Sequence, residues 1–259
     1  MGADQTIQDR DILGIRVKAF GWTAALDDLE RGLTGDEPQR IINFLNAHNA
    51  NTALRDAGYR DGLSRSEVLP DGIGVDIASK ALYGQPFPAN LNGTDLVPAL
   101  LVRVSRPLKV ALIGARADVL ARATENFRTA TPWHQFFAVA DGFFDRRDSA
   151  RVLERLAELE PDITLVAMGS PSQELWIDGN FGPGHGKLVF GVGALFDFIA
   201  GEVPRASDFV RDMRLEWVFR LSLEPARLWR RYIIGNPLFL YRVLRYKLGA
   251  GNRKPPLGI

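Results

Sequence analysis

Short apolar runs that end in glycine or a polar turn recur along the chain: Ile41-Ile42-Asn43-Phe44-Leu45, Val68-Leu69, Val110-Ala111-Leu112-Ile113, Phe136-Phe137-Ala138-Val139, Ile163-Thr164-Leu165-Val166-Ala167-Met168 and Leu188-Val189-Phe190. Runs of this length, rich in β-branched and aromatic residues, predict buried strands. Between them, residues 117–128 and 149–159 place apolar side chains at helical spacing. Strand and helix alternate, so the expected fold is α/β: a doubly wound, Rossmann-like parallel sheet flanked by helices.

In such a sheet, ligands bind outside the carboxyl ends of the strands, where helix N-termini aim their N–H groups. The residues that follow each run are therefore the candidates: Asn46, Pro70-Asp71-Gly72, Gly114-Ala115, Asp141-Gly142-Phe143, Gly169-Ser170-Pro171-Ser172-Gln173-Glu174 and Gly191-Val192-Gly193. Any one of these glycines is most simply a strand-ending turn; the set says more than its members. Asp71 is either a reactive carboxylate or a helix cap, and Asn46 either contacts a ligand, orients Asp71 or caps a turn. Gln173 and Glu174 fall where a helix opens after Pro171, facing the site or, for Glu174, balancing the helix dipole. Asp197, shortly after Gly193, is either a site carboxylate or a core-facing turn residue. Asn92-Gly93-Thr94 reads as a turn opening a helix near Thr94 or Asp95.

The pattern changes beyond residue 205. Phe209, Met213, Trp217 and Leu221 recur every four residues and predict one apolar helical stripe across 208–223, stopped by Pro225. In 226–234, Leu228, Trp229, Tyr232 and Ile233 fall opposite Arg227, Arg230 and Arg231, a basic amphipathic helix with a predicted break at Gly235-Asn236-Pro237. Leu240, Leu244 and Leu248 then lie roughly opposite Arg242 and Arg245, with Lys247 intruding. Such a tail either docks on an anionic membrane surface, at about 1 kcal/mol per cation, or packs on its own core with solvated arginines.

Charge sharpens the division. Residues 1–200 carry 20 lysines and arginines against 26 acids, whereas 201–259 carry 12 against 5, and from Pro225 onward there are eight cations and no carboxylate. An anionic partner is implied: phospholipid, nucleic acid or pyrophosphate. The expected units are an α/β body at 1–205 and a helical appendage at 206–259, whose removal should leave a folded body.

With 259 residues, 46% of them hydrophobic, the chain is globular, and the absence of cysteine excludes disulfides and thiolate chemistry. His48, His134 and His185 are too scattered for a histidine metal site. No apolar run approaches the ~18 residues of a membrane span, and the first residues lack a signal-peptide pattern. Gly191-Val192-Gly193 lacks the third glycine of a dinucleotide fingerprint, and the 182–187 stretch is too short for a P-loop. The Asp9-Arg10-Asp11 triplet, ahead of the first apolar run, reads as a solvated lead-in to a strand.

Six blocks carry a family resemblance: Val68-Leu69-Pro70-Asp71-Gly72-Ile73-Gly74, Asn92-Gly93-Thr94-Asp95-Leu96, Met168-Gly169-Ser170-Pro171-Ser172-Gln173-Glu174, Gly193-Ala194-Leu195-Phe196-Asp197-Phe198, Arg205-Ala206, and Leu215-Glu216-Trp217-Val218-Phe219-Arg220 with Glu224-Pro225. In this order, from about Asn43 to Tyr232, the chain resembles the WecG/TagA/CpsF glycosyltransferases. The Phe44-Leu45-Asn46-Ala47-His48 opening and the Pro88-Ala89-Asn90-Leu91-Asn92-Gly93 stretch look closest to the exopolysaccharide branch, including the xanthan-type enzyme that completes a lipid-linked cellobiose.

The resemblance implies transfer of a hexose, glucose or an N-acetylhexosamine, from a UDP-sugar to a polyprenyl-diphosphate-linked sugar, with inversion, by a peripheral enzyme at the cytoplasmic face of the bacterial inner membrane. It implies Asp71 as general base with Asn46 beside it. Asn92, Gly114, Asp141, Gly142, Ser170, Gln173, Glu174, Gly193 and Asp197 are then the substrate-binding candidates. Arg205, Arg220, Arg227, Arg230 and Arg231 are those for the acceptor diphosphate or membrane. No resident cofactor or metal is expected, because the one D-x-D spacing lies outside the resemblance. Nucleic acid is not an expected partner, and a homo-oligomer is left open. Where many relatives carry Arg, this chain has Asn90, and Ser172 stands where Lys is frequent; both suggest a neutral sugar contact. The competing readings are a nucleotide-sugar oxidoreductase or epimerase, disfavoured by the missing Tyr-x-x-x-Lys pair, and a noncatalytic membrane- or nucleic-acid-binding module.

Overall fold

The computed structural model describes residues 9–35, 37–206 and 216–250; the Arg227 and Ala250 side chains and the first half of the expected 208–223 helix, with Phe209 and Met213, lie outside the described part. Six parallel strands form the main sheet: β3 (Arg40–Leu45), β4 (Glu67–Pro70), β5 (Lys109–Gly114), β6 (Gln135–Ala140), β7 (Ile163–Ala167) and β8 (Leu188–Gly191), in the order β4-β3-β8-β7-β5-β6. These are the six apolar runs. Ahead of them a small antiparallel hairpin joins β1 (Arg10–Ile12) to β2 (Ile15–Val17). The Asp9-Arg10-Asp11 triplet thus belongs to a hairpin, with Asp11 Oδ1 accepting the Gly14 N–H at 2.7 Å across its turn.

Helices cover both sheet faces because the strands are apolar on both. Val110 and Leu112 of β5 join one core cluster while Ala111 and Ile113 join another, as the two-residue period of a strand requires. The first face is covered by α1 (Trp22–Thr34), α5 (Gly93–Arg103), α6 (Ala117–Ala130) and the short α9 (Leu195–Ile199). The second cluster takes α7 (Ser149–Leu159) and α8 (Ser172–Asn180). A third packs α2 (Ala47–Ala53), α3 (Ala57–Ser64) and α4 (Ile73–Tyr83) under the hairpin.

The C-terminal segment is α10 (Glu216–Leu223), α11 (Pro225–Trp229), a π-helical turn (Arg230–Ile234) and α12 (Gly235–Ala250). Pro225 ends one helix and opens the next, where its missing N–H costs nothing. The predicted break at Gly235-Asn236-Pro237 does not occur. Gly235 is right-handed helical and donates its N–H to Arg230 O. Pro237 falls in the first turn of α12, and the i→i+5 turn ahead of it supplies the slack.

Phe239 and Val243 of α12 are buried in the same cluster as α2 and α4. Each such side chain is worth about 1.5–3 kcal/mol. Arg242 Nη1 adds a hydrogen bond to Asn51 Oδ1 at 2.6 Å. Helix α12 is therefore part of the body's packing, and a truncation at 205 would uncover that core.

Candidate active site

A cavity of about 780 Å³ opens at the carboxyl edge of the sheet. Residues from all six strand-end loops line it: Asn46 after β3, Asp71 after β4, Ala115 and Arg116 after β5, Gly142 and Phe143 after β6, Met168 to Ser170 after β7, and Val192 and Gly193 after β8. From the C-terminal helices, Glu216, Trp217, Arg220, Leu228, Arg231, Tyr232 and Asn236 close the other side.

Asp71 is held from three directions. Its N–H donates to Leu45 O at 2.9 Å, continuing the β3–β4 ladder one residue past the strand. Its Oδ2 accepts the Asn46 Nδ2–H at 3.1 Å. The next N–H, of Gly72, donates to Asn90 Oδ1 at 2.7 Å. Gly72 has φ +87°, a left-handed conformation that a side chain would strain, so the chain can turn sharply from β4 into α4 while leaving the Asp71 carboxyl at the cavity. Burial pushes that carboxyl above the ordinary range, against the lowering pull of the Asn46 amide, Arg231 and Arg220. The result is a more basic carboxylate than one in water.

One rotamer of Asn46 makes two contacts at once. Its Oδ1 accepts the Asn49 N–H at 3.0 Å as the N-cap of α2, which leaves Nδ2 to face Asp71. Asn92 similarly caps α5: Oδ1 accepts the Asp95 N–H at 3.0 Å and Nδ2 donates to Asp95 Oδ2 at 2.8 Å. The helix opens at Gly93, one residue earlier than the sequence suggests.

Gln173 and Glu174 both reach the cavity's floor from the first turn of α8, and each is 2% exposed. Glu174 does not sit in solvent at the helix end. Its Oε1 accepts Ser170 Oγ–H at 2.5 Å and Gln173 Nε2–H at 3.1 Å, and burial raises its pKa, favouring the neutral acid.

The remaining candidates divide. Gly142, Ser170, Gly193, Asp197, Arg220 and Arg231 line the cavity, whereas Gly114, Asp141, Arg205 and Arg230 do not. Gly114 serves the sheet: a Cβ there would sit 2.2 Å from Ala167 O. Asp141 Oδ1 accepts the Phe143 N–H at 2.8 Å and shapes the loop. Arg205 pairs with Asp95 at 2.6 Å and lies over Phe198, with Arg220 also against that ring. Arg230 is exposed over Trp229.

The sequence groups Arg231 with Arg227 and Arg230 on a basic side, opposite Leu228 and Tyr232. Leu228, Arg231 and Tyr232 are nevertheless three and four residues apart, neighbours on a helix surface, and all three line the cavity.

Phe143, one of the strand-end residues marked in the sequence, is 79% exposed at the rim. Other lining residues escape sequence reasoning. Trp217 and Tyr232 pack with ring centroids 5.8 Å apart. Glu216 lines the cavity with its pKa raised by burial. His48, in the first turn of α2, is lowered to about 4 by burial and the nearby Arg231 and Arg55, and is neutral at physiological pH. Among the described residues no group of three or more histidine or carboxylate side chains is placed to hold a metal ion.

The glycosyl transferase WecG/TagA/CpsF family model matches residues 10–253. The chain is 34% identical over 197 residues, 75% of each chain, to an N-acetylglucosaminyldiphosphoundecaprenol N-acetyl-beta-D-mannosaminyltransferase of Bacillus spizizenii. It is 32% identical over 226 residues, 86% of each chain, to the Bacillus subtilis protein of the same name. A strand-end carboxylate, a many-loop cavity and a match over nearly the whole described chain lead to one conclusion: this protein belongs to the WecG/TagA/CpsF family of glycosyltransferases.

Proposed function

We propose that the protein transfers a hexose from a UDP-sugar to a polyprenyl-diphosphate-linked sugar, with inversion and with Asp71 as general base. The observation that carries this reading is the pairing of a half-buried, amide-oriented carboxylate with Arg220 and Arg231, which line the same cavity from the C-terminal helices. The acceptor is supported by the relatives' names, which describe action on a diphosphoundecaprenol-linked sugar.

In this mechanism an acceptor hydroxyl beside Asp71 gives its proton to the carboxylate as its oxygen attacks the anomeric carbon from the face opposite UDP. The bond from that carbon to the diphosphate oxygen breaks, and its electron pair leaves with UDP. Arg220 and Arg231 offset the charge that develops there. Arg220 is well suited to this, because its Nε is buried without a hydrogen-bond partner among the described residues, a donor that an anion would satisfy. Phe143 offers an exposed ring for the uracil face, and the loops at Asp197 and Gly142 offer polar groups for ribose and diphosphate. No metal is invoked, so activity should survive EDTA.

The outer face of the C-terminal helices supports peripheral attachment to an anionic leaflet. Trp229, Ile233, Leu240, Leu244 and Leu248 follow helical spacing and are all exposed, with Arg230, Arg245 and Lys247 exposed among them. No helix among the described residues is long and apolar enough to cross a membrane. Apolar side chains at the centre of the basic face fit acyl chains beneath anionic headgroups better than a nucleic acid backbone. The oxidoreductase and epimerase readings do not fit membership of a glycosyltransferase family.

The test is a panel of UDP-sugars, including UDP-glucose and UDP-N-acetylhexosamines, with Glc- and GlcNAc-diphosphoryl-lipid acceptors, run with Asp71→Asn in parallel. Transfer by the parent and not by the variant supports the reading. Full activity of Asp71→Asn would refute the assignment of the base.

A further inference from the structure

Gln173 lines the cavity floor, yet its side chain is engaged inward. Its Oε1 accepts two backbone N–H groups, from Gly169 at 3.2 Å and from Gly193 at 3.1 Å. Gly169 follows β7 and Gly193 follows β8, neighbouring strands paired up to Val166 and Gly191. The Gln173 backbone N–H also donates to Gly169 O at 2.9 Å, so Gly169 is held through both its N–H and its carbonyl. Nε2 donates to Glu174 Oε1 at 3.1 Å and packs against the β8 backbone: a Cβ on Gly191 would lie 3.0 Å from it. A carboxamide has one oxygen with two lone pairs. Here both are committed, and the amino group points into the protein.

We propose that Gln173 is a positioning residue: one buried amide oxygen ties the turn after β7 to the turn after β8 and holds both cavity-facing loops in register for a nucleoside diphosphate. The tie also removes the Gly169 and Gly193 N–H groups from the donors open to a phosphate, leaving phosphate contacts to the arginines and the other strand-end amides. The loop-tying part stands on the geometry alone. The ligand part rests on the donor-site reading given under Proposed function.

Two substitutions separate this role from direct ligand contact. Gln173→Met keeps the size and removes the acceptor, so both N–H groups lose their partner. Gln173→Glu keeps an oxygen for both, and a proton shared between its carboxyl and that of the adjacent Glu174 replaces the Nε2 contact. With UDP as the probe, calorimetry on the full chain should show binding weakened about tenfold or more by Met, a loss typical of a supporting contact. Glu should stay within about threefold of the parent. A residue that donated its amino group to the diphosphate would give the reverse, because a carboxylate there repels phosphate; Glu binding as weakly as Met, or more weakly, overturns the proposal.

Amide exchange on the unmodified protein without UDP provides a test that needs no variant to fold. The Gly169 and Gly193 amides should exchange far more slowly than unstructured reference amides, and unprotected exchange at both overturns the tie. Failure of the parent to bind UDP would count against the donor reading, while the exchange result would still decide the tie.

Discussion

Asn46 Nδ2 stands 3.1 Å from Asp71 Oδ2 while Asn46 Oδ1 accepts the N–H of Asn49, so the amide that caps α2 is also the amide that orients the carboxylate after β4. Because the cap fixes which end of the amide faces inward, helix formation and carboxylate placement depend on the same rotamer.

Removing the proposed base tests the chemistry directly. Asp71→Asn should lower kcat by about 10²–10⁴-fold, the range for loss of a general base, with UDP affinity little changed, as measured by steady-state transfer and calorimetry. Asn46→Ala should also cost about 1 kcal/mol of stability through the lost cap, read as a lowered urea midpoint.

The pH profile carries a sign. Burial raises the Asp71 pKa and the Asn46 hydrogen bond lowers it, so the acidic limb of kcat/KM should lie above the usual carboxylate range. In Asn46→Ala that limb should move to higher pH. A shift to lower pH would contradict the orientation of the pair.

Arg231 and Arg220 meet the cavity from different helices. Replacing either with Gln should reduce turnover about 10–100-fold, the weight of a charge-assisted hydrogen bond of roughly 1.5–3 kcal/mol. Replacing the exposed Arg230 should act mainly on membrane binding. Initial rates with a short-chain, water-soluble acceptor distinguish these effects.

The outward face predicts attachment. Ile233 and Leu244 are each 55% exposed, so glutamate at either position should fold normally and reduce flotation with vesicles containing anionic lipid. Unchanged flotation in the double variant would remove this face as the docking surface.

His48 links stability to pH. Its pKa falls from 6.5 to about 4 on folding, so between those values the unfolded chain binds the extra proton and this residue's contribution weakens as pH drops. Urea titrations at pH 5 and pH 7 should show a smaller pH-dependent loss for His48→Gln than for the parent. The difference between the two proteins isolates His48 from the carboxyls of Asp71 and Glu174, whose raised values act with the opposite sign.

The six strands of the main sheet were legible because a parallel strand covered on both faces must be a nearly continuous apolar run, and the loops after those runs mark the site edge whatever the packing. Asp71 and Asn46 were found by that rule. The β1–β2 hairpin was not, since three-residue strands are too short to show a period.

The sequence by itself determined the alternation of strand and helix, the edge of the sheet where the cavity opens and the basic character of the tail, because period and composition are local properties. Tertiary structure alone decided that Arg231 lines the cavity, that Phe239 and Val243 bind the last helix to the body, and that Gln173 points into the protein. Each of these depends on which distant surface a side chain meets, and the spacing of residues along one helix carries no information about that surface.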